Sequence, residues 1–377
     1  MIELQDIFQQ YVPSFLHNRK LPNNVQKAIS AIEHCRTGAL GSHTDYCDEC
    51  GYTRISYNSC RNRHCPKCQT LTKERWIEAR KDDLLNVRYF HVVFTIPDTL
   101  NGIVFQNQAA LYSILFKSAS ETLQELSADK KYLGAKLGFT SILHTWGQNL
   151  MLHPHIHCIV PGGGLNSINQ WIDTKKKFFI PVKVLSKKFR GKFLYYLKQA
   201  YCENKLKFYG KQEYLSEDLQ FLNLMSSIYQ NNWVVYCKPP FKDARCVLEY
   251  LGRYTHRVAI SNNRILKLEN GKVTFKWRDY RDGKNEKLMT VSAEEFIRRF
   301  LIHILPERFT KIRHYGLLCS QNKTTRLKLC KKLTNTPENL QPKEKASYLQ
   351  LLIKLTGKDF SICPCCCLGR LSRETPS

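Results

Sequence analysis

His144-Thr-Trp-Gly-Gln-Asn-Leu-Met-Leu-His-Pro-His-Ile-His-Cys-Ile-Val-Pro-Gly-Gly-Gly164 is the stretch on which the fold turns. At its centre stands His155-Ile156-His157. On a β-strand, residues two apart project from one face, so the two imidazoles converge while Ile156 points into a core. Cys158-Ile159-Val160 continues the strand as an apolar, partly β-branched run, and Pro161-Gly162-Gly163-Gly164 ends it. Upstream, Thr140 to Thr145 reads as a second strand, and the short link Asn149 to Pro154 lets the two pair as a hairpin. His155 and His157 are then half of a metal site on a rigid element, and either His144 or Gln148 supplies a third ligand. A His-x-His pair in an apolar strand is by itself most often structural, so the rest of the chain must decide.

Outward from the hairpin, Arg88-Tyr-Phe-His-Val-Val-Phe-Thr-Ile96 is rich in aromatic and β-branched residues and reads as a central strand ended by Pro97. Residues 101 to 128 read as a helix. Lys272 to Trp277 and Val258 to Leu268 read as strands joined through Glu269-Asn270-Gly271, where Asn-Gly signals a tight hairpin. The fold class expected is α+β: a mostly antiparallel central sheet flanked by helices, with a small zinc-binding module at the N-terminal end. The expected boundaries are a helical cap over 1–36, the zinc module over 37–75, a catalytic domain over 76–300 and a basic region with a terminal cysteine cluster over 301–377.

The 377 residues carry 58 Lys and Arg against 32 Asp and Glu, a net charge of +26, which points to a polyanionic partner, nucleic acid before an acidic membrane. Met1-Ile-Glu-Leu-Gln-Asp6 lacks the basic start and apolar run of a signal peptide, and no segment approaches a spanning length. A cytoplasmic, nucleoid-associated protein is expected. In a reducing compartment the 16 cysteines are read as metal ligands wherever they are paired. Cys47-Asp-Glu-Cys50 and Cys65-Pro-Lys-Cys68 form two knuckles, each aiming two thiolates at one point, and together they match the tetrahedral sulfur shell of structural zinc. Cys35, His43, Cys60 and His64 lie just ahead of the knuckles and offer a second site or an alternative set of four. Cys363-Pro-Cys-Cys-Cys367 holds one more knuckle, Cys363 with Cys366, with no evident second pair. Arg61, Arg63, Lys67, Lys73 and Arg75 would present cations to phosphates on a zinc-stiffened surface. Between Asp173 and Glu203 a basic run is interleaved with Phe178, Phe179, Phe189, Phe193, Tyr195, Tyr196 and Tyr201, which suits either a solvated face or stacking on single-stranded DNA.

Asp243 reads as an N-cap for a helix from Ala244 to His256 that carries Tyr250 and Tyr254. At a spacing of four they share one face, so both hydroxyls reach one site, or both pack in an amphipathic stripe. The two histidines and two tyrosines together supply a metal that polarises a phosphate and two nucleophiles that attack it. Here the chain resembles the two-tyrosine rolling-circle transposases of the HUH nuclease superfamily, the type represented by insertion sequence ninety-one. The resemblance rests on Asn58-Ser-Cys-Arg-Asn-Arg-His-Cys-Pro-Lys-Cys-Gln69, His153-Pro-His-Ile-His157 and Tyr250-Leu-Gly-Arg-Tyr-Thr-His-Arg257, in the family's order, and covers nearly the whole chain.

The resemblance implies that His155 and His157 bind a catalytic divalent cation, Mg²⁺ or Mn²⁺, and that Tyr250 and Tyr254 cut single-stranded DNA through 5′-phosphotyrosine intermediates. A free 3′-hydroxyl would then be open to the host replication machinery. Gln148, placed like the carboxylate of replication initiators, is favoured as third ligand over His144, placed like the third histidine of conjugative relaxases. Arg253, His256 and Arg257 are candidates for holding the scissile phosphate, or else contact the duplex backbone. The competing readings are a non-enzymatic zinc-finger DNA-binding protein, and a replication initiator or relaxase sharing the chemistry. A metallo-β-lactamase-type hydrolase would need an Asp where Ile159 stands, and a tyrosine recombinase would leave the histidine pair unexplained.

Overall fold

The computed structural model describes residues 2–174, 180–241, 246–247, 250, 252, 258–279, 283, 285–337 and 346–373. Helices α1 (Leu4–Leu16) and α2 (Asn23–Glu33) precede the hairpin of β1 (Ser42–Cys47) and β2 (Thr53–Tyr57), and α3 (Pro66–Lys81) follows. Then come β3 (Tyr89–Thr95), α4 (Asn101–Gln106), α5 (Gln108–Ala128), β4 (Gly138–Trp146), β5 (Leu152–Pro161), β6 (Gly163–Leu165) and β7 (Trp171–Asp173). The remainder is α6 (Val182–Cys202), α7 (Asp218–Gln230), β8 (Val235–Phe241), β9 (Ile265–Glu269), β10 (Lys272–Asp279), β11 (Asn285–Ser292), α8 (Ala293–Leu301), β12 (Ile312–Gly316), α9 (Lys328–Leu333), α10 (Tyr348–Thr356) and β13 (Leu371–Arg373).

The central sheet has the order β12-β4-β5-β3-β8 and every neighbour runs antiparallel. This is the α+β class expected. Its strands alternate so that one face carries Phe90, Val92, Phe94, Ile156, Cys158 and Val160, all buried against Leu111, Leu115, Phe189 and Phe193 of α5 and α6. Ile156 is fully buried there, and this anchors the residues on either side of it. The opposite face carries the histidines. Part of it is covered by a smaller cluster of Tyr89, Ile142, Ile159 and Val247, with Trp76 and Tyr250 packed alongside.

A second core joins α1, α2 and α8 to the sheet β11-β10-β9, with Phe8 and Phe300 meeting edge to face at 5.5 Å. Its hairpin turns through Asn270 and Gly271, both with positive φ (49° and 71°), as a two-residue turn between right-twisted strands requires. The strand expected from Val258 begins only at Ile265, because 262–264 form a 3-10 turn. β12, drawn from the basic region after residue 300, is an edge strand of the central sheet and pairs with β4. No helix among the described residues is long and apolar enough to cross a membrane.

Candidate active site and cysteine clusters

Antiparallel pairing sets the histidine site. His144 stands opposite His155 and Ile142 opposite His157, while on the other side of β5 His157 is opposite Val93 and Ile159 opposite His91. Directly opposed residues share a face, so His144, His155, His157 and His91 all project from one side of the sheet. One ligand nitrogen from each of His144, His155 and His157 lies within 4.8 Å of the others. His144 and His157 are 2% and 7% exposed, and His155 is half-buried, which leaves the cluster open on one side.

The donor chemistry fits a divalent cation. His155 Nδ1 donates to the carbonyl of His153 at 2.6 Å, which fixes the tautomer with its lone pair on Nε2. His157 Nδ1 lies 2.8 Å from Nε2 of His91, and the two rings stack at 5.0 Å and 10°. The hydroxyl of Tyr250 lies 2.9 Å from Nδ1 and 3.3 Å from Nε2 of His91. A hydrogen-bonded line thus runs from a ligand of the cluster, through a buried imidazole, to a tyrosine. Burial, with Lys238 and His155 nearby adding to it, lowers His91 to about 3, so the ring is neutral at pH 7 and has one donor and one acceptor to share between its neighbours.

Of the two expected third ligands, His144 is brought to the histidine pair by strand register. Gln148 sits in the turn after β4, where its carbonyl accepts from Arg264 at 2.6 Å. Tyr254, Arg253, His256 and Arg257 lie outside the described residues. His91 was not anticipated as part of the site. Its signal is the alternation of β3, where His91, Val93 and Thr95 share the face that His155 and His157 occupy on β5.

The cysteines group differently from the expected four. Cys65 and Cys68, at the start of α3, stand with Cys35 and Cys60, and their sulfurs are 3.6 Å apart for Cys35–Cys68, Cys60–Cys68 and Cys35–Cys65. Four sulfurs around a zinc at about 2.3 Å lie about 3.8 Å from one another, so the set has the size of a closed zinc shell. Hydrogen bonds with Cys60 and Cys65 lower Cys35 below the ordinary thiol value. Cys47 and Cys50 belong elsewhere, with Cys363 and Cys366. The reason is the β1–β2 hairpin. Asn58 closes its base against Gly41 and Arg36, beside Cys35 and Cys60, whereas Cys47 and Cys50 ride at its tip, about five strand residues or roughly 17 Å away. His43 lies on β1 beside Asp45, and His64 is hydrogen-bonded to the amide of Leu305, so neither joins a cluster.

Several cations expected to face phosphates are engaged within the fold. Arg63 donates to the carbonyls of Phe309 and Pro306 at 2.6 and 3.0 Å, and Lys67 holds Glu3 and Gln5 of the α1 end. On α6, Phe189 and Phe193 are core residues against Trp233, and Lys188 and Lys192 pair with Glu125 and Glu121 of α5. These groups hold the helix to the core. Lys175–Lys177, Phe178 and Phe179 lie outside the described residues.

Residues 138–326 match the family described as "Putative transposase", and residues 7–96 match the "Transposase zinc-binding domain". The first spans the histidine hairpin and Tyr250, and the second holds Cys35, Cys60, Cys65 and Cys68. The chain belongs to the transposases of the insertion-sequence-ninety-one type, with an N-terminal zinc-binding domain. It is 46% identical to the putative transposase y4qJ of Sinorhizobium fredii, over 98% of this chain and 94% of that one. It is 28% identical to the transposase for insertion sequence element IS801 of Pseudomonas savastanoi pv. phaseolicola, over 78% of this chain and 70% of that one. No solved structure matches.

Proposed function

We propose that this transposase cleaves and rejoins single-stranded DNA through 5′-phosphotyrosine intermediates, in a rolling-circle transposition of the HUH type. The observation that carries the reading is the line Tyr250–His91–His157, which ties a nucleophile to a three-histidine cluster. His144, His155 and His157 would hold Mn²⁺ or Mg²⁺, which supplies Lewis-acid stabilisation of charge on the phosphate oxygens. Zinc at Cys35, Cys60, Cys65 and Cys68 is structural.

A tyrosine hydroxyl ordinarily titrates near 10 and is a weak nucleophile at pH 7. If His157 holds the cation through Nε2, its Nδ1 would carry the proton and donate to His91 Nε2, 2.8 Å away. The neutral His91 then carries its proton on Nδ1 and donates to the Tyr250 oxygen, which favours the phenolate and aims it. Once the phenol has given its proton to solvent, attack by the Tyr250 oxygen forms the tyrosine O–P bond and breaks the bond from phosphorus to the 3′ oxygen, which leaves and takes up a proton from solvent as the free 3′-hydroxyl. The phosphoester energy is kept for rejoining, and the free 3′-hydroxyl is a primer for the host replication machinery. Tyr254, by its spacing and by family resemblance, is the second nucleophile, with Arg253, His256 and Arg257 as phosphate contacts.

The test is cleavage of labelled single-stranded oligonucleotides from the element's ends, with Mn²⁺ or with EDTA, comparing wild type with Tyr250→Phe, Tyr254→Phe and His155→Ala. A covalent 5′-linked adduct that requires metal and is lost in the variants is expected. DNA binding without a metal-dependent adduct would leave a zinc-dependent DNA-binding protein instead.

A further inference from the structure

Cys363 and Cys366 lie beyond both family-matched segments, yet the fold delivers them to the tip of the β1–β2 hairpin. Strand β13 pairs antiparallel with β1, setting Asp45 against Arg373, Tyr46 against Ser372 and Cys47 against Leu371. Asp48 fixes the approach, its carboxylate accepting from the amide of Arg370 at 2.6 Å while its own amide donates to the Arg370 carbonyl at 3.2 Å. Gly369 passes so close that an added Cβ would come within 2.5 Å of the Cys47 sulfur, so the contact admits only glycine. Helix α10 also packs on α3, with Lys354 paired to Glu78.

At the meeting point the Cys47 and Cys366 sulfurs are 3.7 Å apart, as are those of Cys50 and Cys363. A disulfide needs about 2.0 Å. The observed spacing is that of a tetrahedral sulfur shell around an ion with bonds of about 2.3 Å. Backbone amides point at the sulfurs as they do in metal knuckles: Cys365 donates to Cys363 Sγ at 3.4 Å and Gly369 to Cys366 Sγ at 3.3 Å. Such donors favour the thiolate.

We propose that Cys47, Cys50, Cys363 and Cys366 bind a second zinc ion that staples the C-terminal part of the chain to the N-terminal zinc-binding domain. Each half of the shell is a CxxC knuckle from one end of the chain, so the ion closes a loop of nearly the full length. Cys365 and Cys367 stand in the same run but are exposed and belong to no cluster. They are built-in controls.

The experiment uses the full chain purified without chelator. Elemental analysis is expected to give two zinc ions per chain, one in the Cys363→Ser/Cys366→Ser variant, and two in Cys365→Ser/Cys367→Ser. Alkylation of the native wild type, mapped by mass spectrometry, is expected to label Cys365 and Cys367 at once. Cys50, although exposed in the fold, is expected to react only after a chelator strips the metal, together with Cys47, Cys363 and Cys366. The alkylation arm needs no variant to fold. One zinc per chain in the wild type, iron in place of the second zinc, or labelling of Cys50 and Cys366 as fast as Cys365 would overturn the proposal.

Discussion

Replacing His91 by phenylalanine isolates the middle of the line from His157 to Tyr250. The residue is 2% exposed and its ring lies flat on His157, so a phenyl ring fills the same slot and keeps the stack while removing both nitrogens. The 2.8 Å bond to His157 Nδ1 disappears, and so do the contacts with the Tyr250 hydroxyl at 2.9 and 3.3 Å. The first orients His157, which the proposed mechanism makes a metal ligand, and loss of such a partner ordinarily costs about 10- to 100-fold in metal affinity, about 1.4 to 2.7 kcal/mol. Mn²⁺ affinity of the full chain, measured by calorimetry, is expected to fall by that factor in His91→Phe. Single-turnover formation of the DNA adduct should fall further at saturating Mn²⁺, because the phenol has lost its donor as well. Tyr250→Phe separates the two effects, since it should keep Mn²⁺ affinity within about twofold and abolish the adduct formed at that residue. A folded His91→Phe protein with wild-type Mn²⁺ affinity and wild-type adduct rate would refute the coupling.

Ile156→Ala opens a cavity in the main core beneath the two histidines and should destabilise the chain by about 2 to 5 kcal/mol, read as a lower denaturant midpoint, with cleavage falling at temperatures where the protein is still folded. Cys60→Ser breaks the shell at the hairpin base and should release one zinc and lower the melting temperature, whereas His43→Ala should release none. Burial holds His303 and His314 at about 4, below their ordinary value near 6.5, so the unfolded chain takes up their protons first as pH falls. Their contribution is intact above pH 6.5 and is lost progressively down to about pH 4, with a slope of up to about 1.4 kcal/mol per pH unit for each. Denaturation midpoints across that window check it, and a flat profile would contradict the burial of both rings.

The hairpin of β4 and β5 was legible because strand periodicity alone carries His155 and His157 to one face and Ile156 to the other. Hairpin register sets His144 directly opposite His155, and a short linking segment does not reveal register until the strands are paired. His91 was hidden for a similar reason: its strand was readable, but its neighbour across the sheet was not. The cysteines show the limit most plainly. A CxxC spacing identifies a knuckle, since two thiolates so close in sequence must converge. It says nothing about which other knuckle completes the shell. Cys47–Cys50 and Cys65–Cys68 are neighbours in sequence, yet a β-hairpin sends the first to its tip and leaves the second at its base. On α6 the alternation of aromatic and basic residues was equally compatible with stacking on nucleic acid, and it is the packing of the helix on the sheet and Trp233 that assigns Phe189 and Phe193 to the core.

The place of β3 in the sheet governs the order in which the protein can be made. It emerges from the ribosome before either of its partners, waits for β5, and remains open on its far side until β8 has been synthesised. During that interval a run of strongly apolar residues, Tyr89 to Thr95, presents unpaired backbone donors and acceptors along one edge. A chain terminated before residue 235 would keep that edge permanently, together with all four histidines but without Tyr250. Such a fragment would present β3 as an unpaired edge, the kind of surface through which chains associate.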